Sequence, residues 1–365
     1  MIVRSVETLG FRNLEPGGLE LGERITLLHG PNGAGKTNLL EALYTGLAGR
    51  SCRTSAERET IAFDQPLARV IVGLESDGER TEFLWSTQRD GERRHLLDGG
   101  PAGPDAAELR PALSVFMPDR LTLVKGPPAA RRSHLDGFVA ALRPARAEAR
   151  RRYARALAQR NALLSRIRKG QAAPDSLDAW DTELASAGIE LIEVRSEAIG
   201  VLTPLFAEAA AELGLDRGAE LTYRPRSTAT DAQGLASELR ERRESDLNRG
   251  FSGHGPHLDD MVLRHASRSL RQYGSQGQQR TALLALLFAE RDALLAERSD
   301  PPMILLDDVM SELDPSRRER LCARLLQGSG QALITATESE HLPDSCPRSE
   351  IAVEAGALTP AQAPA

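Results

Sequence analysis

One stretch constrains this chain more than any other. An apolar, strand-like run, Ile25–His29, leads directly into Gly30-Pro31-Asn32-Gly33-Ala34-Gly35-Lys36-Thr37, and the residues from Asn38 to Gly46 that follow have helical spacing. Strand, glycine-rich loop and helix in that order make a phosphate-binding P-loop and commit the N-terminal region to an α/β architecture. The glycines let the backbone bend until several N–H groups point at one anion, and the helix adds the positive end of its dipole. Lys36 reaches the outer phosphates in such a loop, the Thr37 hydroxyl ligates Mg²⁺, and Asn38 completes the nucleotide-binding set. The only lysines in the chain are Lys36, Lys125 and Lys169, so a lysine at this position is hard to read as chance.

A second element lies about 270 positions downstream. Met303–Leu306 reads as a buried strand ending in Asp307 and Asp308. Ligands of open α/β sheets gather at strand C-termini, so this end is expected beside the P-loop. Asp307 is the candidate for holding Mg²⁺ through water. Asp308, with Lys36, is the candidate for catalysis, by positioning the attacking water.

The third element is Ser275-Gln276-Gly277-Gln278-Gln279-Arg280 at the start of a helix that runs to Glu297. Free N–H groups, a hydroxyl and a helix dipole make an anion site of the same physical type as the P-loop. One loop already holds the phosphates, so Ser275, Gln276, Gly277 and Gln278 are read as serving the nucleotide of another subunit.

Length and composition fit this picture. At 365 residues the chain has room for about two domains. No apolar run approaches a membrane span, and Thr281–Ala289 is closed in by Arg280 and Glu290. The N-terminus has no signal-peptide pattern, and Cys52, Cys322 and Cys346 lack metal or redox spacing, so free thiols and a cytoplasmic location are expected. From Arg131 to about Glu212 the chain turns rich in Ala, Leu, Arg and Glu, which predicts long amphipathic helices broken near Pro144, Gly170–Pro174 and Pro204. Residues 221–265 return to strands and turns. The expected organisation is a split ATPase domain, 1–125 and 250–365, around a largely helical insertion at 126–249 on the signature side, with a flexible tail at 355–365.

Together these stretches resemble the ABC-type ATPase heads of the SMC/Rad50 kind, and within them the RecF family of bacterial recombination mediators. The likeness is carried by Gly10–Asn13, Gly30–Asn38, Gly49–Thr54, Pro118–Arg132, Gly255–Asp260, Ser275–Arg280 and Leu305–Asp314, which follow the family's order along nearly the whole chain. The resemblance implies a mixed sheet with flanking helices and an ATP-induced, head-to-tail homodimer. In that dimer the P-loop of one subunit is capped by the signature of the other, with Ser311–Asp314 communicating across the interface. It further implies binding to duplex DNA beside single-strand gaps, slow DNA-stimulated ATP hydrolysis, work with RecR and RecO in placing RecA, and no membrane partner.

The sequence departs from the wider ABC pattern in three places. The second acid of the strand is Asp308 where most ABC enzymes carry Glu, a departure the RecF family shares and one that predicts slow turnover. Ala336-Thr337 stands where many carry a switch histidine, with Thr337 the candidate substitute. The glutamine of the Q-loop is missing, and Pro118–Lys125 is the segment in its place.

Three features stay open. Gly253–Asp260 holds two histidines and two aspartates, which fit a structural metal, an ordinary polar turn, or a role near the nucleotide or dimer interface. The arginines of Gly49–Thr54 fit loop packing or contact with phosphate or DNA. The segment from Arg131 to Lys169 carries a net charge of +10, and is either a solvated helical face or a polyanion footprint. If it is a footprint, Arg150, Arg151, Arg152 and Arg155 are the candidates for contacting duplex phosphates, since aromatic residues are too few for single-strand stacking. Two other functions compete: the nucleotide-binding subunit of an ABC membrane transporter, and an ATP-binding switch without useful hydrolysis.

Overall fold

The computed structural model describes residues 1–103, 106, 109–215, 218–297, 301–328 and 330–360, the side chains of 118 and 119 excepted. The side chains that open Pro118–Lys125 and the last five residues of the expected tail therefore lie outside them. Two compact units divide the chain: Met1–Asp119 with Leu294–Ala365, and Arg120–Ala293. The expected division had placed 250–293 with the ATPase domain; by its packing this stretch groups with the middle of the chain, because its strand and helices build on elements there.

The first unit opens with β1 (Ile2–Leu9), β2 (Gly17–Glu20), β3 (Ile25–His29) and α1 (Lys36–Ala48). Next come β4 (Leu67–Ser76), β5 (Glu79–Gln88), β6 (Arg93–Leu97), β7 (Gly100–Pro101) and β8 (Leu113–Phe116). Strands β2-β1-β4-β5-β6-β7 form one antiparallel sheet. The turn signal Ser76-Asp77-Gly78 makes the β4–β5 hairpin: Ser76 pairs with Glu79, and Asp77 and Gly78 both take positive φ, as a twisted two-residue hairpin requires. The inward residues Val70, Val72, Phe83 and Trp85 are buried with Leu39, Leu40, Leu43 and Leu47 of α1 in one core.

The second unit runs through α2 (Thr122–Lys125), α3 (Pro128–Leu142), α4 (Ala147–Arg168), α5 (Leu177–Glu212) and β9 (Ala219–Arg224). It continues with α6 (Ala232–Glu241), α7 (Arg243–Arg249), β10 (Asp260–His265), β11 (Arg268–Ser269), α8 (Leu270–Tyr273) and α9 (Gln276–Glu297). The predicted long helices are present, with two corrections. Pro204 does not break α5: the Thr203 hydroxyl donates to the Ile199 carbonyl at 2.7 Å, and buried Leu202 and Phe206 hold the turn in place. Residues 221–265 are not only strands and turns. Asp231 caps α6 by accepting from the Gly234 amide at 2.7 Å, and Gly250 ends α7 at a positive φ. Strands β11-β10-β9 form a small antiparallel sheet.

The chain returns to the first unit with β12 (Met303–Leu306), α10 (Pro315–Gln327), β13 (Ala332–Ala336), β14 (Ser349–Glu354) and β15 (Ala357–Pro360). The second sheet has the order β15-β14-β3-β13-β12-β8, parallel throughout except for β15. Its central strands are buried on both faces, which explains their mostly apolar runs. The expected flexible tail is corrected over 355–360: Ala355 and Gly356, both at positive φ, turn the chain back so that β15 pairs with β14. Parallel register sets His29 opposite Ala336 and Leu306 opposite Ile334, so β3, β13 and β12 end along one edge. The P-loop and the two aspartates leave from that edge.

Candidate nucleotide site

The P-loop is shaped by glycine. Gly30, Gly33 and Gly35 take φ of 149°, 81° and 119°. A Cβ on Gly30 would stand 2.1 Å from the Val353 carbonyl, so no side chain fits there. The β14–β15 turn braces the loop from below: the Gly356 amide donates to the Ala34 carbonyl at 2.8 Å, and the Glu15 amide to the Gly356 carbonyl at 3.0 Å. Lys36 is 7% exposed and its ammonium donates to the carbonyls of Gly30 and Pro31 at 2.7 and 2.9 Å. Burial lowers its pKa, while Asp308 and Asp307 work against that shift.

The acidic strand meets the loop as expected. The Thr37 hydroxyl donates to Asp307 Oδ1 at 2.8 Å, joining the two candidate metal ligands across 270 residues of sequence. Burial raises the Asp307 pKa, opposed by the hydroxyls of Thr37 and Thr335. Asp308 adopts a φ of 51°, an uncommon conformation for a residue with a side chain. It is fixed from three sides: its amide donates to Thr335 Oγ1 at 2.9 Å, and the Ser311 hydroxyl donates to its carbonyl and to Oδ1 at 2.9 and 2.8 Å.

Two groups escaped the sequence reading. Thr335, one hydroxyl within an apolar strand, is fully buried and touches both aspartates. Its only signal was a hydroxyl in an otherwise apolar run, one residue before that run ends. Thr337, the candidate substitute for a switch histidine, instead contacts His341 Nδ1 at 3.3 Å. The second group is Glu41, fully buried on α1, which accepts from both Nε and Nη2 of Arg12, from Arg53 and from Ser51. Arg53 also reaches Asn38 Oδ1 at 2.8 Å, and the Asn38 amide reaches Asn13 at 2.7 Å, whose own amide meets the Gly33 carbonyl at 3.1 Å. Through this chain of bonds Arg53 steadies the loop.

The signature residues belong to the other compact unit. The Gln278 amide donates to Ser275 Oγ at 3.2 Å, and the Ser275 amide to Gln278 Oε1 at 2.9 Å. This reciprocal pair is a capping box at the start of α9, and it leaves Ser275 and Gln276 exposed. The Gly253–Asp260 stretch forms a polar network. Tyr153 and His257 meet at 2.7 Å, His254 meets Glu238 at 2.6 Å, and Arg131 grips Asp260 with two bonds of 2.7 and 3.0 Å. Among the described residues no group of three or more metal-binding side chains could hold an ion.

The arginines of α4 are answered within their own unit. Arg150 pairs with Asp136, Arg151 and Arg155 with Glu148, and Arg152 with Glu183 and Glu190. Asp136 and Glu148, the two acids inside the Arg131–Lys169 segment, answer Arg150, Arg151 and Arg155, while the partners of Arg152 lie on α5, beyond the segment counted. Buried Arg160 is likewise held by Asp181 and Asp246.

Residues 2–355 match the family model described as the RecF/RecN/SMC N terminal domain. DNA replication and repair protein RecF of Heliobacterium modesticaldum is 34% identical over 370 residues, covering 98% of this chain and 99% of that protein. Its counterpart in Chloroflexus aurantiacus is 37% identical, covering 93% and 94%. A solved structure of the recombination mediator protein RecF with ATP, of the RecFOR pathway, superposes with a TM-score of 0.86 at 27% identity, covering 99% and 98% of the two chains. An SMC head bound to the C-winged helix domain of ScpA, with a TM-score of 0.58 at 15% identity, shares the fold.

Proposed function

Because this chain belongs to the RecF family, we propose that it is an ATP-dependent DNA-binding protein of recombinational repair. In this reading ATP closes two copies head to tail on duplex DNA near single-strand gaps. The clamp helps RecR and RecO to place RecA, and slow, DNA-stimulated hydrolysis resets it. The observation that carries the proposal is the convergence of Thr37, Asp307 and Asp308 at one edge of the parallel sheet, beside a glycine cradle with no room for a Cβ.

The residues present fit ATP and Mg²⁺. Thr37 and Asp307 would hold the metal, and their oxygens already meet at 2.8 Å. Bound Mg²⁺ supplies positive charge against the phosphate oxygens. The Lys36 ammonium, held at the loop, adds charge on the other side, and the loop amides and the start of α1 add their dipoles. Asp308 orients the attacking water through its carboxylate, whose position Ser311 and Thr335 fix. Asp is one methylene shorter than the Glu common in ABC enzymes, which favours slow turnover and a long-lived clamp. Ser275–Gln278, of which Ser275 and Gln276 are exposed, would complete the site from the second copy, the positive end of the α9 dipole facing the outermost phosphate.

On the DNA side, Arg150, Arg151, Arg152 and Arg155 would meet phosphates only by giving up their carboxylate partners. Arg150, Arg151 and Arg155 are 60–68% exposed, so such an exchange is open to them. The transporter reading finds no support in relatives that match along the whole chain and carry a repair name. Phosphate release by wild type, Lys36→Arg and Asp308→Asn, each with and without duplex DNA, tests the proposal. Weak hydrolysis raised by DNA and lost in both variants is the expected result. Hydrolysis indifferent to Lys36→Arg would overturn the assignment of the site.

A further inference from the structure

A cleft of about 370 Å³ in the second unit is lined by five arginines: Arg131, Arg224, Arg264, Arg268 and Arg271. Asp260 is the one carboxylate among the lining residues, and Arg131 occupies both of its oxygens. Among the described residues, the side chains of Arg224, Arg264, Arg268 and Arg271 have neither an ion pair nor a hydrogen bond. The contrast with α4, where every candidate arginine is paired, is sharp. Arg264 adds an independent sign: its Nε is buried and has no hydrogen-bond partner, although Glu220 lies opposite it in the β9–β10 register. A buried guanidinium N–H without a partner is costly, and an arriving anion would relieve that cost.

We propose that this cleft is where the duplex phosphate backbone is held. The inference rests on the DNA-binding reading above. The chemistry suits phosphodiesters: guanidinium forks on three strands and a helix, with the Ser267, Ser269 and Gln272 side chains beside them, are the donor types that position a protein on a duplex. One aromatic side chain, Tyr273, lines the cleft and is 70% exposed, which is too little for a stacking platform and favours the backbone over unpaired bases.

The cleft is also tied to the signature. Arg271 and Tyr273 sit on α8, and Gly274 separates that helix from Ser275. The buried Gln279 amide donates to the Leu270 carbonyl at 2.7 Å, stitching α8 to the first turn of α9. Phosphates drawn against Arg268 and Arg271 therefore bear on the segment that presents Ser275, which gives DNA a direct route to the rate of hydrolysis.

The test compares Arg268→Glu with Arg271→Glu, as a double variant, against Arg151→Glu with Arg155→Glu in the full-length protein. Duplex affinity is measured across a salt series, and phosphate release with and without duplex. The cleft variant is expected to lose at least ten-fold in affinity and to flatten the slope of log affinity on log salt by about two, at roughly 0.9 per lost phosphate contact. Stimulation of its hydrolysis by duplex should disappear. The α4 variant should keep most of the slope. A milder pair, Arg268→Gln with Arg271→Gln, keeps side-chain length and should show the same flattening, which separates lost contacts from misfolding. If the cleft variants bind and respond as wild type does while the α4 variant loses the slope, the cleft assignment falls and the DNA-binding reading stands. If wild type binds no duplex at any salt, both fall.

Discussion

The hydroxyl of Thr335 donates to Asp307 Oδ1 at 2.8 Å, the same oxygen that Thr37 reaches from the P-loop. The same hydroxyl accepts the Asp308 amide, so one buried side chain on β13 positions both acids of the site. Loop, acidic strand and the strand between them are thereby locked to one another.

Replacing Thr335 by Val removes one of two hydroxyls that favour the ionised form of Asp307, and burial then dominates further. Asp307 must be ionised to hold a cation, so hydrolysis is lost as pH falls through its raised pKa. Thr335→Val should move that acid limb to higher pH and slow turnover at neutral pH about ten-fold, about 1.4 kcal/mol of barrier. Thr335→Ser should restore both. A pH–rate profile of the three proteins checks this; an unmoved acid limb in Thr335→Val would count against the role given to Thr335.

Asp307→Asn should separate stability from activity. A carboxyl whose folded pKa lies above its unfolded value binds more protons when folded, so the fold gains as pH drops into that range and bears the cost of ionisation above it. The amide removes that cost and keeps an oxygen for both hydroxyls. Thermal unfolding at neutral pH should shift upward or stay level, while phosphate release disappears. A large fall in melting temperature would contradict this.

The β14–β15 turn is part of the nucleotide site and not a tail. A Cβ at Gly356 would lie 2.0 Å from the Asn13 carbonyl, at a φ of 94° that already disfavours a side chain. Gly356→Ala is expected to destabilise the fold by about 2–4 kcal/mol, the range of strained backbone positions, and to weaken ATP binding with it. Denaturant midpoints and nucleotide titration report the two effects.

In the second unit, Glu238 is partly buried, which alone would raise its pKa. Hydrogen bonds from Ser227, His254 and Thr228 outweigh that and hold it down to about 2. A depressed carboxylate contributes stability that is present above its unfolded pKa and lost as pH falls from there toward about 2. Glu238→Gln should therefore lower stability at neutral pH and flatten the acid side of the stability profile. Equal acid slopes in both proteins would contradict it.

Much of this arrangement was legible in the residues. Gly30–Thr37 and Asp307–Asp308 declare themselves by residue type and spacing, because phosphate chemistry leaves few alternatives. β3 and β12 follow from short apolar runs bounded by a glycine and by acids. What stayed hidden depended on partners distant in sequence. Thr335 looks like any strand threonine until parallel register sets it beside Asp307. Arg152 of α4 looks free until α5 brings Glu183 and Glu190 beside it. β15 looks like a frayed end because alternation over four residues is too short to register, and only pairing with β14 defines it. Pro204 broke a local rule that tertiary packing overrides.

The central claim is that Gly30–Thr37 and Asp307–Asp308 make half of a site that a second copy completes with Ser275–Gln278. Sedimentation of Asp308→Asn, expected to bind ATP without hydrolysing it, tests this most directly. With ATP and duplex DNA the protein should sediment as a dimer, and introducing Ser275→Arg should return it to monomers. Monomers of Asp308→Asn in every nucleotide state, with or without DNA, would contradict the account.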